Sequence, residues 1–117
     1  MSISYQGIGE WCATLRCGAG VCEDAVVGIG ASGMAVECGA GDGFCGVVRA
    51  IAHDGRACSV QLGGLATVCY SGEETPRSGF GRLAADGVGG VCVSAEKGRE
   101  YLILDVDSTE KTVVIKL

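Results

Sequence analysis

The chain has one proline, one histidine and one tryptophan among 117 residues, and none of its cysteines forms a C-x-x-C pair. Each shortage excludes something. Without close cysteine pairs there is neither a zinc knuckle nor a thioredoxin-like redox motif. With His53 as the sole imidazole, a nucleophile that needs a neighbouring base has one candidate. Positive charge is also scarce: nine Lys and Arg stand singly against fourteen Asp and Glu, for a net charge of −5. A nucleic-acid binder needs basic clusters to displace phosphate counterions, so no nucleic-acid partner is expected. Long apolar runs are missing too. The longest uncharged stretch, Ala57 to Gly72, is broken by Ser, Gln, Thr and Gly. That is too polar for a transmembrane helix, and no membrane partner is expected. The opening MSISYQGIGEW has no basic start followed by an apolar run, so synthesis in a cytosol is expected.

Glycine is abundant, at 21 residues, and so is cysteine, at eight. A hydrophobic fraction of 48% suffices for a core, and a single domain of this length buries roughly two thirds of its unfolded surface. Dense glycine without a three-residue period reads as tight turns between short strands rather than collagen. Apolar alternation marks strands at Met34–Cys38, Phe80–Ala84, Val91–Ala95 and Glu100–Asp107, the last with Leu102, Leu104 and Val106 on one face. Val113, Ile115 and Leu117 form the inward face of a terminal strand. Turn signals recur about every 8 to 12 residues. No amphipathic helix is read. The fold class expected is all-β: a small antiparallel β-barrel or sandwich with short strands and Gly-rich turns.

The centre of the pattern is Phe44 to Tyr70, with Asp54-Gly55 between two apolar runs. That dipeptide predicts a two-residue hairpin loop with both residues at positive φ. Counting outward, Ile51 faces Cys58, Ala50 faces Ser59, Arg49 faces Val60 and Val47 faces Leu62. Val47, Ile51, Val60 and Leu62 are then inward. Arg49 interrupts this apolar face, either by reaching out at its edge or because a bulge near Gly46 shifts the count.

Few constellations carry chemistry. Gly28-Ile-Gly-Ala-Ser-Gly33 matches G-x-G-x-x-G, but strand alternation follows where a dinucleotide site needs a helix, so it reads as a turn. Cys12, Cys17 and Cys22 with His53 would make a Cys₃His zinc site, although their four-residue gaps are wider than usual knuckle pairs. The cysteines read as mostly free and structural, with Cys45 and Cys58 on the apolar face of the ribbon. Glu73, Glu74, Asp105 and Asp107 read as solvated surface. No catalytic residue, cofactor or metal is assigned, and no enzyme is expected.

Met34-Ala-Val-Glu-Cys38, GDGFCGVV, SVQLGGLATVCYSG, GFGRLAADGVGGV, GREYLILDVD and the terminal TVVIKL are specific in combination. From about Ala25 to the C-terminus the chain thereby resembles the small capsid cement, or head decoration, proteins of tailed phages and prophages. The resemblance implies a compact barrel-like fold without catalysis, on the capsid surface of a virion, made in the bacterial host cytoplasm. The implied partner is the phage major capsid protein. Lambda-type decoration proteins, a looser parallel, imply a homo-oligomer, with a trimer favoured. The cysteine load and the segment before Val26 depart from that pattern. Residues 1–24 are accordingly read as an N-terminal arm and Cys-rich lead-in, and 25–117 as the decoration domain.

Ile3, Tyr5, Ile8 and Trp11 put a large apolar load on the first eleven residues, a reason to expect a capsid- or subunit-binding arm there. The same residues would equally make a first barrel strand. The Ser71–Gly79 loop, with the only proline, is the next candidate surface. Two alternatives remain beside decoration: a small ligand- or carbohydrate-binding β-barrel module, which wants grouped aromatics, and a Cys-rich zinc or thiol protein.

Overall fold

Adjacent valines explain the architecture. Val26-Val27 and Val47-Val48 are all buried, at 2% exposure or less, although neighbours on a strand point to opposite faces. Their strands must therefore be covered on both sides, and two cores do this. The structure, a computed structural model, describes residues 9–117.

The first half forms a five-stranded sheet from β1 (Trp11–Arg16), β2 (Val26–Ile29), β3 (Ala35–Glu37), β4 (Gly46–Ile51) and β5 (Ala57–Gly63), in the order β1-β5-β4-β2-β3. The second half is a closed barrel of β6 (Leu65–Ser71), β7 (Gly79–Ala85), β8 (Val91–Val93), β9 (Arg99–Asp107) and β10 (Thr112–Lys116), in the order β10-β6-β8-β7-β9. Neighbours are antiparallel except β6 and β8, which pair in parallel at Tyr70 and Val91. The fold is all-β, as its patterning predicts. The G-x-G-x-x-G stretch is the β2–β3 turn, a single 3₁₀ turn at Ala31–Gly33.

The larger core fills the closed barrel with Val68, Tyr70, Leu83, Val91, Tyr101, Ile103, Val113 and Ile115, and receives Val26, Phe44 and Val47 from the first sheet. The smaller core lies on the other face of that sheet and holds Val27, Ala35, Val48, Cys58 and Val60. Phe44 is the joint between halves. Its ring stacks on Tyr101 with centroids 4.9 Å apart and planes 6° apart, and the Tyr101 hydroxyl donates to the Phe44 carbonyl at 2.9 Å. Backbone bonds from Gly41 to Ala85 (2.8 Å) and from Val26 to Gly89 (3.0 Å) fasten the same seam.

The central hairpin stands where Asp54-Gly55 places it, but its turn differs. The Gly55 N–H donates to the Ala52 carbonyl, so His53 and Asp54 are the central pair. Gly55 alone takes positive φ, at 73°. The Asp54 carboxylate accepts from the Arg56 N–H at 3.0 Å and settles the longer loop. Ile51↔Cys58 and Ala50↔Ser59 pair as expected. Beyond them a bulge at Arg49 shifts the register, giving Val48↔Val60 and Val47↔Gln61. The bulge is therefore at Arg49 itself and not near Gly46. It swings the guanidinium to the buried Gln61, with Nε to Oε1 at 2.7 Å, and to Asp24 at 3.6 Å. Val47 and Val60 are fully buried, whereas Ile51 and Leu62 are half-buried at the rim of the smaller core.

A second bulge corrects β9. Ile115 pairs with Ile103 and Val114 with Asp105, so Leu104 is skipped. Tyr101 and Ile103 face the core before the bulge and Val106 after it, while Leu102 and Leu104 are half-buried.

Candidate interaction surface

β1 lies at one edge of the first sheet. It pairs with β5 along one side, from Trp11↔Gly63 to Arg16↔Ala57. Among the described residues its other side is met only just beyond its end, where Cys17 bridges Ala35. Edge strands offer a row of unpaired backbone donors and acceptors, and proteins ordinarily blunt or cover them. Alternation turns Ala13 and Leu15 toward the smaller core and leaves Cys12, Thr14 and Arg16 exposed.

Trp11 opens this strand and is 58% exposed. Its indole lies over Gly63, where a Cβ would collide with the ring. Gly64, at φ +83°, lets the chain cross from the first sheet to the barrel, with Gly9 and Glu10 packed against it so tightly that a side chain has no room. Trp11 thus sits on Gly63 beside the crossing point and is more than half exposed. Ile3, Tyr5 and Ile8 lie outside the described residues.

Behind the crossing sits the fully buried Gln61. Its amide donates to the carbonyls of Gly63 (3.0 Å) and Leu65 (2.9 Å), and its oxygen accepts from Arg49. Every polar atom of that side chain is engaged, which is what burial of an amide requires. The Trp11 edge is therefore tied to a rigid support.

Two more apolar side chains stand out on the barrel. Phe80 is 73% exposed at the mouth of a cleft of about 790 Å³, lined also by Arg77, Arg82, Leu83 and Ile103 and overhung by the loop after β6. Within that loop Pro76 is buried while its neighbours are exposed. Val88, 84% exposed, tips a turn that Asp86 organises by accepting from the N–H groups of Val88 (2.8 Å) and Gly90 (3.0 Å) and from Ser71 Oγ (2.7 Å). Phe80 lies in the strand its alternation predicts, but the exposure of a single Phe or Val leaves no mark on a sequence pattern.

Burial sets three of the thiols, Cys38, Cys45 and Cys58, against nucleophilic chemistry. All eight cysteines are free. Burial, reinforced by Asp42 and Cys45, pushes the Cys38 thiol up to about 11, and burial raises Cys45 and Cys58 as well. An activated thiolate needs the opposite shift. The cysteines are free, as expected; Cys58 is fully buried, Cys17 and Cys38 pack on the two cores from their rims, and Cys45 is half-buried. Cys12 and Cys22 are exposed, while Cys17 packs on the smaller core and His53 sits on the exposed hairpin turn. Alternation sends Cys12 and Cys17 to different faces of the sheet. Among the described residues no three His, Cys, Asp or Glu side chains come together as a metal site.

No protein-family model matches this chain, and no curated protein matches it.

Proposed function

We propose that this protein is a head decoration protein of a tailed phage or prophage, binding the outer surface of the capsid and stabilising it without catalysis. The observation that carries the reading is the open edge of β1 with Trp11 exposed beside it. A strand added to such an edge gains main-chain hydrogen bonds, and an indole beside it supplies an anchor of the kind that dominates interface energy. The major capsid protein is the partner, and Ile3, Tyr5, Ile8 and Trp11 form the contacting segment. Copies associate as a homo-oligomer, a trimer by expectation, and contacts repeated over a lattice add by avidity. Support also comes from the barrel's packed core: ten barrel side chains, joined by Val26, Phe44 and Val47 from the first half, form one apolar cluster where a ligand-binding barrel would keep a cavity. The exposed aromatics Trp11 and Phe80 stand on different sheets, an arrangement unlike a grouped sugar platform.

The test is co-sedimentation of the purified chain with heads built from the major capsid protein of the same phage or prophage. Wild-type protein is expected to comigrate with the heads. Trp11→Ala is expected to lower affinity about tenfold or more, with little change in melting temperature. Absence of wild-type comigration contradicts the reading. Loss on Phe80→Ala with Trp11→Ala unaffected moves the contact to the cleft beneath the Ser71–Gly79 loop.

A further inference from the structure

The barrel closes through β8, its shortest strand, and beyond the end of that strand the wall is open. β8 stops at Val93, opposite Leu83 of β7, and the next bond across runs from the Ser94 N–H to the Arg82 carbonyl at 3.1 Å. Gly79, Phe80 and Gly81 pair with β9 on their other side, at Ile103, Leu102 and Tyr101, with no shift in register. Among the described residues no strand meets them on the β8 side. Backbone groups of an antiparallel strand point to alternate sides. Arg82 points toward β8, so Phe80 does too, and its N–H and carbonyl face the cleft beneath the Ser71–Gly79 loop. Side chains alternate as well. Leu83 is inward and fully buried, which puts Gly81 and Gly79 at inward positions. A Cβ on Gly79 would meet nothing within 4 Å, and one on Gly81 would meet the tip of Ile103 at 3.1 Å. The cleft of about 790 Å³ opens at these bare positions, with Leu83, Val93 and Ile103 in its lining.

We propose that this cleft is a binding site for an acidic peptide in extended conformation, which adds as a short strand beside Phe80. Main-chain bonds to the Phe80 N–H and carbonyl set its position, as at other sheet edges that accept a peptide. Its side chains then alternate. Those turned inward enter the space beside Gly79 and Gly81 and pack on Leu83, Val93 and Ile103, which selects apolar groups. Those turned outward lie beside Phe80 and Arg82, and charge decides their kind. Fourteen acids outnumber nine bases over the whole chain, but the cleft lining reverses that balance, with Arg77 and Arg82 against Glu74. Among the described residues neither guanidinium is in an ion pair, and Arg82 makes one hydrogen bond, from Nη1 to the Gly98 carbonyl at 3.1 Å. Donors therefore remain for a carboxylate, in a charge-assisted pairing. The roof is tied down: Pro76 is buried in an otherwise exposed loop, and the Ser78 hydroxyl donates to the Leu104 carbonyl at 3.5 Å.

This inference stands apart from the capsid reading and from the Trp11 edge, and its test needs no capsid. The full chain, labelled with nitrogen-15, is titrated with three capped pentapeptides in which valine alternates with glutamate, serine or lysine. The glutamate peptide is expected to bind saturably and to shift the amide signals of Phe80, Gly81 and Arg82. The serine peptide is expected to bind the same amides about tenfold more weakly, two exposed ion pairs being lost at about threefold each. Arg77→Gln, a change on the exposed loop, is expected to weaken the glutamate peptide about threefold and to leave the serine peptide unchanged. Three results overturn the proposal. One is the absence of saturable binding by the glutamate peptide. Another is binding of the lysine peptide at Phe80–Arg82 as tight as that of the glutamate peptide. The third is a set of shifts confined to Trp11–Arg16, which would place the peptide on the other open edge.

Discussion

Two sheets of five strands each are built from similar lengths of chain, yet one closes and the other stops short. The barrel closes because β9 and β10 pair over most of their length, through Val113↔Val106 and Ile115↔Ile103. Among the described residues of the first sheet, the outer strands meet only where Cys17 and Gly18 reach Ala35. Their fillings differ accordingly. The closed barrel holds Leu83, Ile103, Ile115 and two tyrosines, while the smaller core is three valines, an alanine and a cysteine. Buried area scales the hydrophobic contribution, so the barrel carries the larger share of stability. Sheet one keeps an open edge, the feature a partner strand would use.

Deleting equal side chains from the two sheets is the sharpest way to break this comparison. Leu83 in the barrel is fully buried, and Leu83→Ala is expected to cost about 2–5 kcal/mol in urea unfolding. Equal costs for Leu83→Ala and Leu62→Ala would abolish the distinction. Gln61→Leu comes next. It strands Arg49 and two carbonyls at the crossing, and a loss of about 1–3 kcal/mol is expected from the same measurement. A neutral result would mean that the crossing does not depend on the amide. Leu62→Ala, half-buried on the rim of the smaller core, is expected to cost about 1 kcal/mol. That is less than the full burial implied by counting register outward from the hairpin turn.

Alkaline pH sharpens the picture at the joint. Tyr101 is raised to about 12 from an ordinary value of 10, chiefly by burial, against the opposing pull of Arg99. A raised acid binds its proton more tightly in the folded state. Its stabilising contribution is complete below pH 10 and is lost as pH climbs from about 10 toward 12. Cys38, Cys45 and Cys58 act with the same sign from about pH 9. Unfolding midpoints are expected to be unaffected by these groups below pH 9 and to fall above it. Tyr101→Phe should remove the tyrosine part of the fall. An unchanged alkaline slope in that variant would mean the Phe44–Tyr101 joint stays closed to ionisation effects.

The legible parts of this fold were those where alternation ran uninterrupted. β10 is one: Val113 and Ile115 face the core as its spacing predicts. Asp54-Gly55 located the central hairpin. Prediction failed wherever a bulge reset the count, at Arg49 in β4 and at Leu104 in β9, because a single inserted residue exchanges the two faces beyond it. Arg49 did announce itself as a charge on an apolar face. Leu104 could not, since leucine suits either face. β1 was also missed as a strand: Cys-Ala-Thr-Leu-Arg carries little apolar contrast, and its pairing with β5 is a long-range event. Of the site, Trp11 was visible as a large apolar residue with no assigned core. The edge beside it emerges only from strand order.

Hydrogen exchange read by mass spectrometry, on the free protein and on the protein bound to phage heads, tests the central claim most directly. In the free protein the amides of Trp11–Arg16 should exchange through local opening, well before those of β9 and β10, which should wait for global unfolding. On the heads, the Trp11–Arg16 amides should slow markedly while the β9 and β10 amides keep their rates. Equal protection of β1 and β10 in the free protein, or slowing on the heads confined to the barrel, would contradict the account.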